Sequence, residues 1–593
     1  MMLETLDPHQ TTRPQTMSNT PHVPEELAVG RSDPAYMAHA YLTKVPVPAI
    51  IPFIEAYSKP GDVIVDPFAG SGMTGVASAM VGRSAKLFDI SVLGRHIGSN
   101  YVNLVNPAQL EKYSREVVEA SKEVLGNLYK ETCANCDSPA ELAKAVWSFV
   151  VECRECKAPV NYYHALEAAD WVKPNMVCPH CESTVSSRDR RVGEEQVLDY
   201  VNCSCTVVQI EQPPQTPPKV NIESLGFPEV EITPERQMYK ASALGKSGMT
   251  SIASYYSDRN LAVLTTLHRR ISEIEDSRIR SKLLFAFTAS LTRASKRYQW
   301  SKARPLNAAN ANYYVASVFY EWNVYDLFLR KISAIIKSDE WILATRNIYV
   351  GPEEAETPKV TYDVSSAEEI PLPDDSVDYI FTDPPFGSNL FYADMALFQE
   401  AWLDAFSDVQ REAVVDRRGS KGDRTADRYE RMLSQALSEC RRILKPGGKV
   451  SMVFGNSSGE VWALVQRAII SAGLQIIPSA LVVLNKGQRS VKGLASGFEH
   501  VATLDLVITM EAAPEAAETP ELRHVDADLV GARIRDIAAE NPATPSHLYL
   551  ELLRTGIREG WRLNEIDLSV VTSALITDGW MVEPKSGRLY RQT

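Results

Sequence analysis

Residues 377–392 read VDYIFTDPPFGSNLFY, and the reading of the fold starts there. The run 377–381 is short, apolar and rich in β-formers, which predicts a buried strand. Pro384 and Pro385 cannot continue a hydrogen-bonded ladder, so the chain must leave the sheet at Asp383. One carboxylate, two proline-fixed carbonyls and the Phe386 ring are thereby set at the carboxyl end of a strand. Open α/β sheets bind their ligands at such ends.

A second corner of the same kind lies upstream. Residues 62–66 (DVIVD) predict a buried strand, and Pro67-Phe68-Ala69-Gly70-Ser71-Gly72-Met73-Thr74-Gly75 follows at once. A helix over 76–81, a turn at Gly82 and a strand over 85–88 ending in Asp89 complete a βαβ half. Gly70, Gly72 and Gly75 satisfy G-x-G-x-x-G with an acid about 20 residues on, the dinucleotide fingerprint. Such turns also serve tight strand–helix packing alone. The third strand is delayed by an insertion running from about Asn106 to about Pro358. Residues 360–363 (VTYD) then supply it, and Asp363 at its end is placed either to meet an adenine ring or to cap a turn.

Downstream of the opening stretch, helices are expected over 394–406 and 429–444, the second stopped by Lys445-Pro446-Gly447-Gly448. A strand over 449–454 and a helix over 459–472 follow. Strands over 480–484 and 502–509 close a Rossmann-like, seven-stranded α/β sheet as an antiparallel pair.

The chain has 593 residues, which predicts three or four domains. Domains are assigned as a disordered tail (1–26), two halves of one α/β domain (27–106 and 358–511), two insertions between them (107–211 and 212–357), a linker (512–522) and a C-terminal α+β domain of winged-helix type (523–593). A net charge of −13 argues against a chain basic all over, though a local basic surface is enough for nucleic acid. No apolar run reaches membrane-spanning length, and the expected home is the cytoplasm.

Eight of the nine cysteines form four pairs: Cys133 with Cys136, Cys153 with Cys156, Cys178 with Cys181, and Cys203 with Cys205. Tetrahedral zinc takes four thiolates from two such pairs, so two ions are expected. Sequential pairing would give two ribbons; crossed pairing or a single loaded site are the alternatives. His180, inside a knuckle, reads as a bystander. After a proline-rich linker (212–219) come helices over 261–291 and 313–335. Between them Arg293, Lys296, Arg297, Tyr298, Trp300, Lys302 and Arg304 combine cations with aromatic rings, which suits phosphate contact and base stacking, or else a solvated face. The loop 414–429 adds Arg417, Arg418 and Lys421.

The Asp-Pro-Phe-Ala-Gly-Ser-Gly loop, Asp89, Thr-Asp-Pro-Pro-Phe-Gly and the Leu-Lys-Pro-Gly-Gly turn together resemble the adenine-specific DNA methylases that contain a zinc ribbon, within the amino-methyltransferase superfamily. The order of the motifs resembles the superfamily's α arrangement. The resemblance implies S-adenosylmethionine as cofactor, held by Asp66, Phe68, Gly70, Gly72 and Asp89, with Lys44 and Pro46 in an additional cofactor-side motif. It implies catalysis at Asp383, Pro384, Pro385 and Phe386 on the exocyclic amine of an adenine flipped out of double-stranded DNA. Phe386 stands where tyrosine is commoner. A modification or phage-defence setting, with other subunits met through the C-terminal domain, is a separate expectation that the resemblance does not itself supply. Rival expectations are a cytosine-N4 or an RNA guanine-N2 methyltransferase, an idle zinc-containing DNA-binding protein, and an NAD oxidoreductase, for which no hydride chemistry is evident.

Overall fold

The computed structural model describes residues 23–302, 313–351, 359–387, 391–415, 425–487, 503–514, 520–583 and 588–591. An eight-stranded mixed sheet organises them. In chain order its strands are β1 (Glu26–Ala28), β2 (Val63–Asp66), β3 (Ser84–Asp89), β4 (Val360–Val364), β5 (Val377–Thr382), β6 (Leu444–Phe454), β7 (Leu474–Asn485) and β8 (Asp505–Ala512). In space the order is β4-β3-β2-β5-β6-β8-β7-β1. Only β8 runs against its neighbours β6 and β7. The winding from β2 goes outward through β3 to β4, then restarts at β5 on the other side. The crevice between β2 and β5 is therefore the topological switch point, where open α/β sheets bind ligands.

The expected seven strands are present, and the eighth is a correction. Residues 26–28, assigned partly to a disordered tail, pair parallel with β7. Alternation along the strands sends residues to opposite faces. Ile64 and Phe381 enter one buried cluster, Val65 and Ile380 the other. The first cluster is covered by α1 (Val47–Tyr57), α2 (Met73–Met80) and α3 (Val92–Val102), and is continuous with the insertion. The second is covered by helices Ala426–Ile443 and Gly459–Ser471, and is continuous with the C-terminal residues.

Inside the insertion, the long strand Pro139–Glu152 pairs with Arg191–Asn202 on one side and Val318–Trp322 on the other. The helix expected over 313–335 is thus a strand followed by the helix Val324–Tyr349. Its Val, Phe, Tyr and Trp suit a buried, pleated seam better than a helix start. Val318–Trp322, in the part assigned to 212–357, pairs with Pro139–Glu152 in the cysteine-bearing part. Two buried ion pairs hold the helical part, Arg259 with Glu321 (2.5 Å) and Lys282 with Asp339 (2.8 Å).

The C-terminal residues form helices Ala527–Glu540, Pro545–Arg558 and Leu568–Thr577 and the hairpin Trp580–Val582 with Leu589–Arg591. They dock closely on the sheet. Gln466 donates to the Trp561 carbonyl (2.9 Å), the Gly459 amide donates to Asp567 (3.1 Å), and Arg554 pairs with Glu25 (2.9 Å). Among the described residues no helix is long and apolar enough to cross a membrane.

Candidate active site

The β2 corner is tied down by its own carboxylate. Asp66 is buried and accepts from the Phe68 amide (3.1 Å), the Thr74 hydroxyl (2.6 Å) and the Thr382 hydroxyl (2.9 Å). The last bond comes from β5, so this carboxylate stitches the two sides of the switch point together. Burial pushes its carboxyl up to about 7, against the pull of these hydrogen bonds. The following loop is drawn over Asp89, which accepts from the Gly70 amide (2.8 Å) and the Ser91 amide (2.9 Å). Burial raises the Asp89 carboxyl as well. Gly70 and Gly72 both have positive φ. A Cβ on Gly72 would meet the Gly98 Cα at 2.6 Å, so this glycine lets α2 and α3 touch.

At the β5 corner Asp383 is half-buried. Burial pushes its carboxyl up to about 7; nearby Asp505 and Asp66 act in the same direction and Lys486 opposes them. Two carbonyls of the turn are already engaged. That of Pro385 accepts from the Tyr429 hydroxyl (2.5 Å), and that of Phe386 from the Asn456 amide (2.9 Å). The Phe386 ring packs on Phe454, with centroids 5.2 Å apart. Behind it lies the buried ion pair Lys486–Asp505, with the Lys486 ammonium 6.0 Å from the Phe386 ring centroid.

One cavity joins the two corners. Asp66, Phe68, Gly70 and Asp89 line one part of it; Asp383 and Pro385 line the other; Lys44 also borders it. The Lys44 ammonium is buried and donates to the carbonyls of Tyr36 (2.8 Å) and His39, and burial depresses it to about 7. It fastens the segment that carries Tyr41 and Thr43, which also line the cavity. The Thr43 and Tyr392 hydroxyls share a hydrogen bond (3.1 Å) across it. Tyr41, Thr43, Tyr392 and the Lys486–Asp505 pair escaped sequence reasoning. Tyr41 and Thr43 fall in the same short segment as Lys44 and Pro46 but carry no motif signal of their own. Tyr392, Lys486 and Asp505 lie far from it in the chain, and no spacing signals their meeting.

Several expected site residues do not line the cavity. Asp363 is exposed, because the alternation of β4 turns it away; Ser366, Ala367 and Glu368, just past that strand, face the cavity instead. Pro46 is the N-cap of α1, Gly72 is spent on helix packing, and Pro384 and Phe386 sit outside the lining.

The cysteines gather in two groups, with pairing that is nested rather than sequential. Cys133 and Cys136 meet Cys203 and Cys205; Cys153 and Cys156 meet Cys178 and Cys181. The strands Pro139–Glu152 and Arg191–Asn202 are antiparallel, so the start of one meets the end of the other. Sulfur–sulfur distances are 3.8 and 3.5 Å in the first group, 3.6 and 3.7 Å in the second. A tetrahedron of thiolates about 2.3 Å from an ion requires edges of roughly 3.8 Å, so both groups fit one ion each. Three knuckles share one turn, in which the amides of Asp137, Lys157 and Glu182, all at positive φ, donate to the carbonyls of Cys133, Cys153 and Cys178. His180 is in neither group.

The basic–aromatic segment is largely folded inward, which corrects its reading as a free stacking surface. Arg297, Tyr298 and Trp300 are buried: Arg297 lies over Phe398, and Trp300 packs against Tyr163 and Trp171. Lys296 pairs with Glu194 (2.8 Å). Arg293 and Lys302 stay exposed. The aromatic rings complete the apolar seam around Val318–Trp322, a larger burial than open solvent allows. Arg304, Arg417, Arg418 and Lys421 lie outside the described residues.

Residues 11–106 match a family described as DNA methylase (N6_N4_Mtase). No curated protein matches the chain. Among solved structures, the complex of the Haloferax volcanii Trm112 methyltransferase activator with its candidate methyltransferase is matched at 14% identity and a TM-score of 0.16, over 29% of this chain and 68% of that one. The geranyl diphosphate C-methyltransferase of Streptomyces coelicolor A3(2), in complex with Mg2+, geranyl diphosphate and S-adenosyl-L-homocysteine, is matched at 10% identity and a TM-score of 0.16. That match covers 30% of this chain and 61% of that one.

Proposed function

We propose that the chain is an S-adenosylmethionine-dependent DNA methyltransferase that modifies the exocyclic amine of adenine, at N6, in duplex DNA. The observation that carries the reading is the single cavity bordered by Asp89 and the Phe68–Gly70 backbone at one part and by Asp383 at another. The family match over residues 11–106 agrees with the cofactor side of this reading.

Each Asp89 oxygen already accepts one amide, and each keeps a lone pair for a donor such as a ribose hydroxyl. Bound there, S-adenosylmethionine would supply an electrophilic methyl group. The remaining work falls to the chain. An adenine amine is a poor nucleophile because its lone pair is delocalised into the ring. With the Pro385 and Phe386 carbonyls engaged, the Asp383 carboxylate, which lines the cavity, is left to accept an amine N–H bond. That pairing favours a pyramidal nitrogen with its lone pair directed at the methyl carbon, so orientation supplies much of the rate. The Asp383 carboxylate then holds the proton that the methylated nitrogen sheds. Aspartate at the head of the tetrapeptide is the feature that favours adenine over cytosine.

We assign the two cysteine groups to zinc, as structural ions that let a thin insertion fold. Elemental analysis should find two zinc ions per chain. Cys136→Ser and Cys205→Ser should each lose the same ion while Cys156→Ser loses the other; a shared loss across the groups contradicts the nested pairing.

The decisive assay supplies labelled S-adenosylmethionine with duplex DNA or tRNA and identifies the modified nucleoside. N6-methyladenine in DNA is expected. Label confined to tRNA, or N4-methylcytosine in DNA, overturns the reading.

A further inference from the structure

The seam between Pro139–Glu152 and Val318–Trp322 gathers several cations; the acids that act there are Asp326, beside Arg330, and Glu211, beside Tyr200. Lys144 stands opposite Trp322 on one side and Tyr200 on the other. Its ammonium lies 5.0 Å from the Trp322 ring centroid and 4.5 Å from that of Tyr200. Two helices bring further cations to the same indole. Arg293, at the end of Ser277–Ala294, lies 5.0 Å from the ring, and Arg330, on Val324–Tyr349, lies 5.5 Å from it. Lys331 adjoins them.

The hydrogen bonds of these side chains go to neutral oxygens. Arg293 donates to the Tyr298 hydroxyl (3.0 Å), Arg330 to the Asp326 carbonyl (3.2 Å) and Lys331 to the Ala38 carbonyl (3.1 Å). The Asp326 carboxylate acts on Arg330 from nearby and is shared with Lys122. Burial lowers Lys144 and Lys331, and Arg293 lowers both further; Lys331 comes down to about 8. Covering an indole needs only one cation. Gathering several that repel one another costs stability, and the chain as a whole has 75 acidic residues against 62 basic ones. An external polyanion would offset that repulsion.

The position of the cluster suits the proposed target. Thr292, beside Arg293, accepts from Gln399 (3.3 Å) on the helix that begins at Tyr392, a cavity residue. Lys331 grips Ala38, just before Tyr41, which also lines the cavity. We infer that Arg293, Arg330 and Lys144, backed by Lys331 and seated on Trp322, bind the phosphate backbone of duplex DNA beside the base to be modified. Naming duplex DNA rests on the methyltransferase reading above.

The test is fluorescence anisotropy of a labelled duplex with the full chain, saturated with S-adenosylhomocysteine, across a potassium chloride series. Arg293 and Arg330 are exposed, which makes them suitable for substitution. The double variant R293Q/R330Q should bind at least tenfold more weakly at low salt. The slope of log affinity against log salt should fall by about 2, since each phosphate contact contributes about 0.9. The double variant R293K/R330K, which keeps both charges, should retain the slope. Calorimetric binding of S-adenosylhomocysteine should be equal in all three, showing an intact fold. Unchanged affinity and slope in the glutamine variant overturn the surface, as does structured RNA that displaces the duplex at equal concentration. A wild type that binds duplex with this slope but transfers no methyl sinks the activity and leaves the surface standing.

Discussion

Two neighbouring strands of the sheet end almost alike: Asp66-Pro67-Phe68 after β2, and Asp383-Pro384-Pro385-Phe386 after β5. Both aspartates are pushed up to about 7, in each case first by burial. Their partners differ. Asp66 accepts from an amide and two hydroxyls, one of them from the other strand. On Asp383 act charges: Lys486 against Asp505 and Asp66. Similar local sequence has thus become a structural tie at one strand end and an acceptor left open to a cavity at the other. What a carboxylate does is decided by which donors its neighbours direct at it.

The largest expected effect breaks the pair apart. Asp383→Ala should lower methyl transfer by about 1000-fold or more, as loss of an orienting acceptor does, while S-adenosylmethionine binding by calorimetry stays within a few-fold. Turnover near the wild-type level would remove Asp383 from the site.

Asp66→Ala should act in the opposite sense. Three donors lose their acceptor, at about 1 kcal/mol each, so the melting temperature should drop and cofactor binding should fall along with transfer. A variant as stable as wild type would contradict the stitching role. The same carboxyl carries a pH signature. Its folded-state pKa is raised, so the folded protein holds the proton more tightly; the stability it contributes is full below the ordinary carboxylate range and is lost as pH rises through about 7. Asp66→Asn should therefore flatten the fall in melting temperature between pH 5 and pH 8.

Lys486→Met sharpens the contrast from the other side. Transfer should rise with pH around 7 in the wild type, because ionised Asp383 is the acceptor. Removing the opposing cation should move that midpoint upward by about 1 unit, with Lys486→Arg restoring it. A midpoint that stays put would make the Lys486–Asp505 pair purely structural. The smallest effect is expected of Phe386→Tyr. Packing on Phe454 keeps the ring in place, and transfer should change by less than about tenfold, or under about 1.4 kcal/mol in the barrier.

Both corners were legible because they depend on local rules. Apolar runs forced strands, and prolines and glycines forced the exits. The cysteine knuckles were legible for the same reason, since one turn closes three of the four pairs within a few residues. Legibility failed where a side chain's surroundings come from elsewhere in the chain. Asp363 reads as a cavity acid until the register of β4 turns it outward. Tyr298 and Trp300 read as stacking rings until the strand Val318–Trp322 arrives to cover them. The strand at residues 26–28 lacks any pattern of its own and exists because β7 offers a free edge.

The sequence by itself determined the βαβ half, the two Asp-Pro corners, the delayed third strand and the supply of eight thiolates. These follow from backbone chemistry within a few residues: proline without an amide proton, glycine without a Cβ, cysteine at knuckle spacing. Tertiary structure alone decided that the cysteine pairs nest, that Thr382 satisfies Asp66, that Lys486 faces Asp383, and that Lys144, Arg293 and Arg330 share one indole. Each of these joins residues at least 25 positions apart or on different elements. Such meetings are set by strand register and by the burial that holds the elements together, and neither is written in any single stretch of the chain.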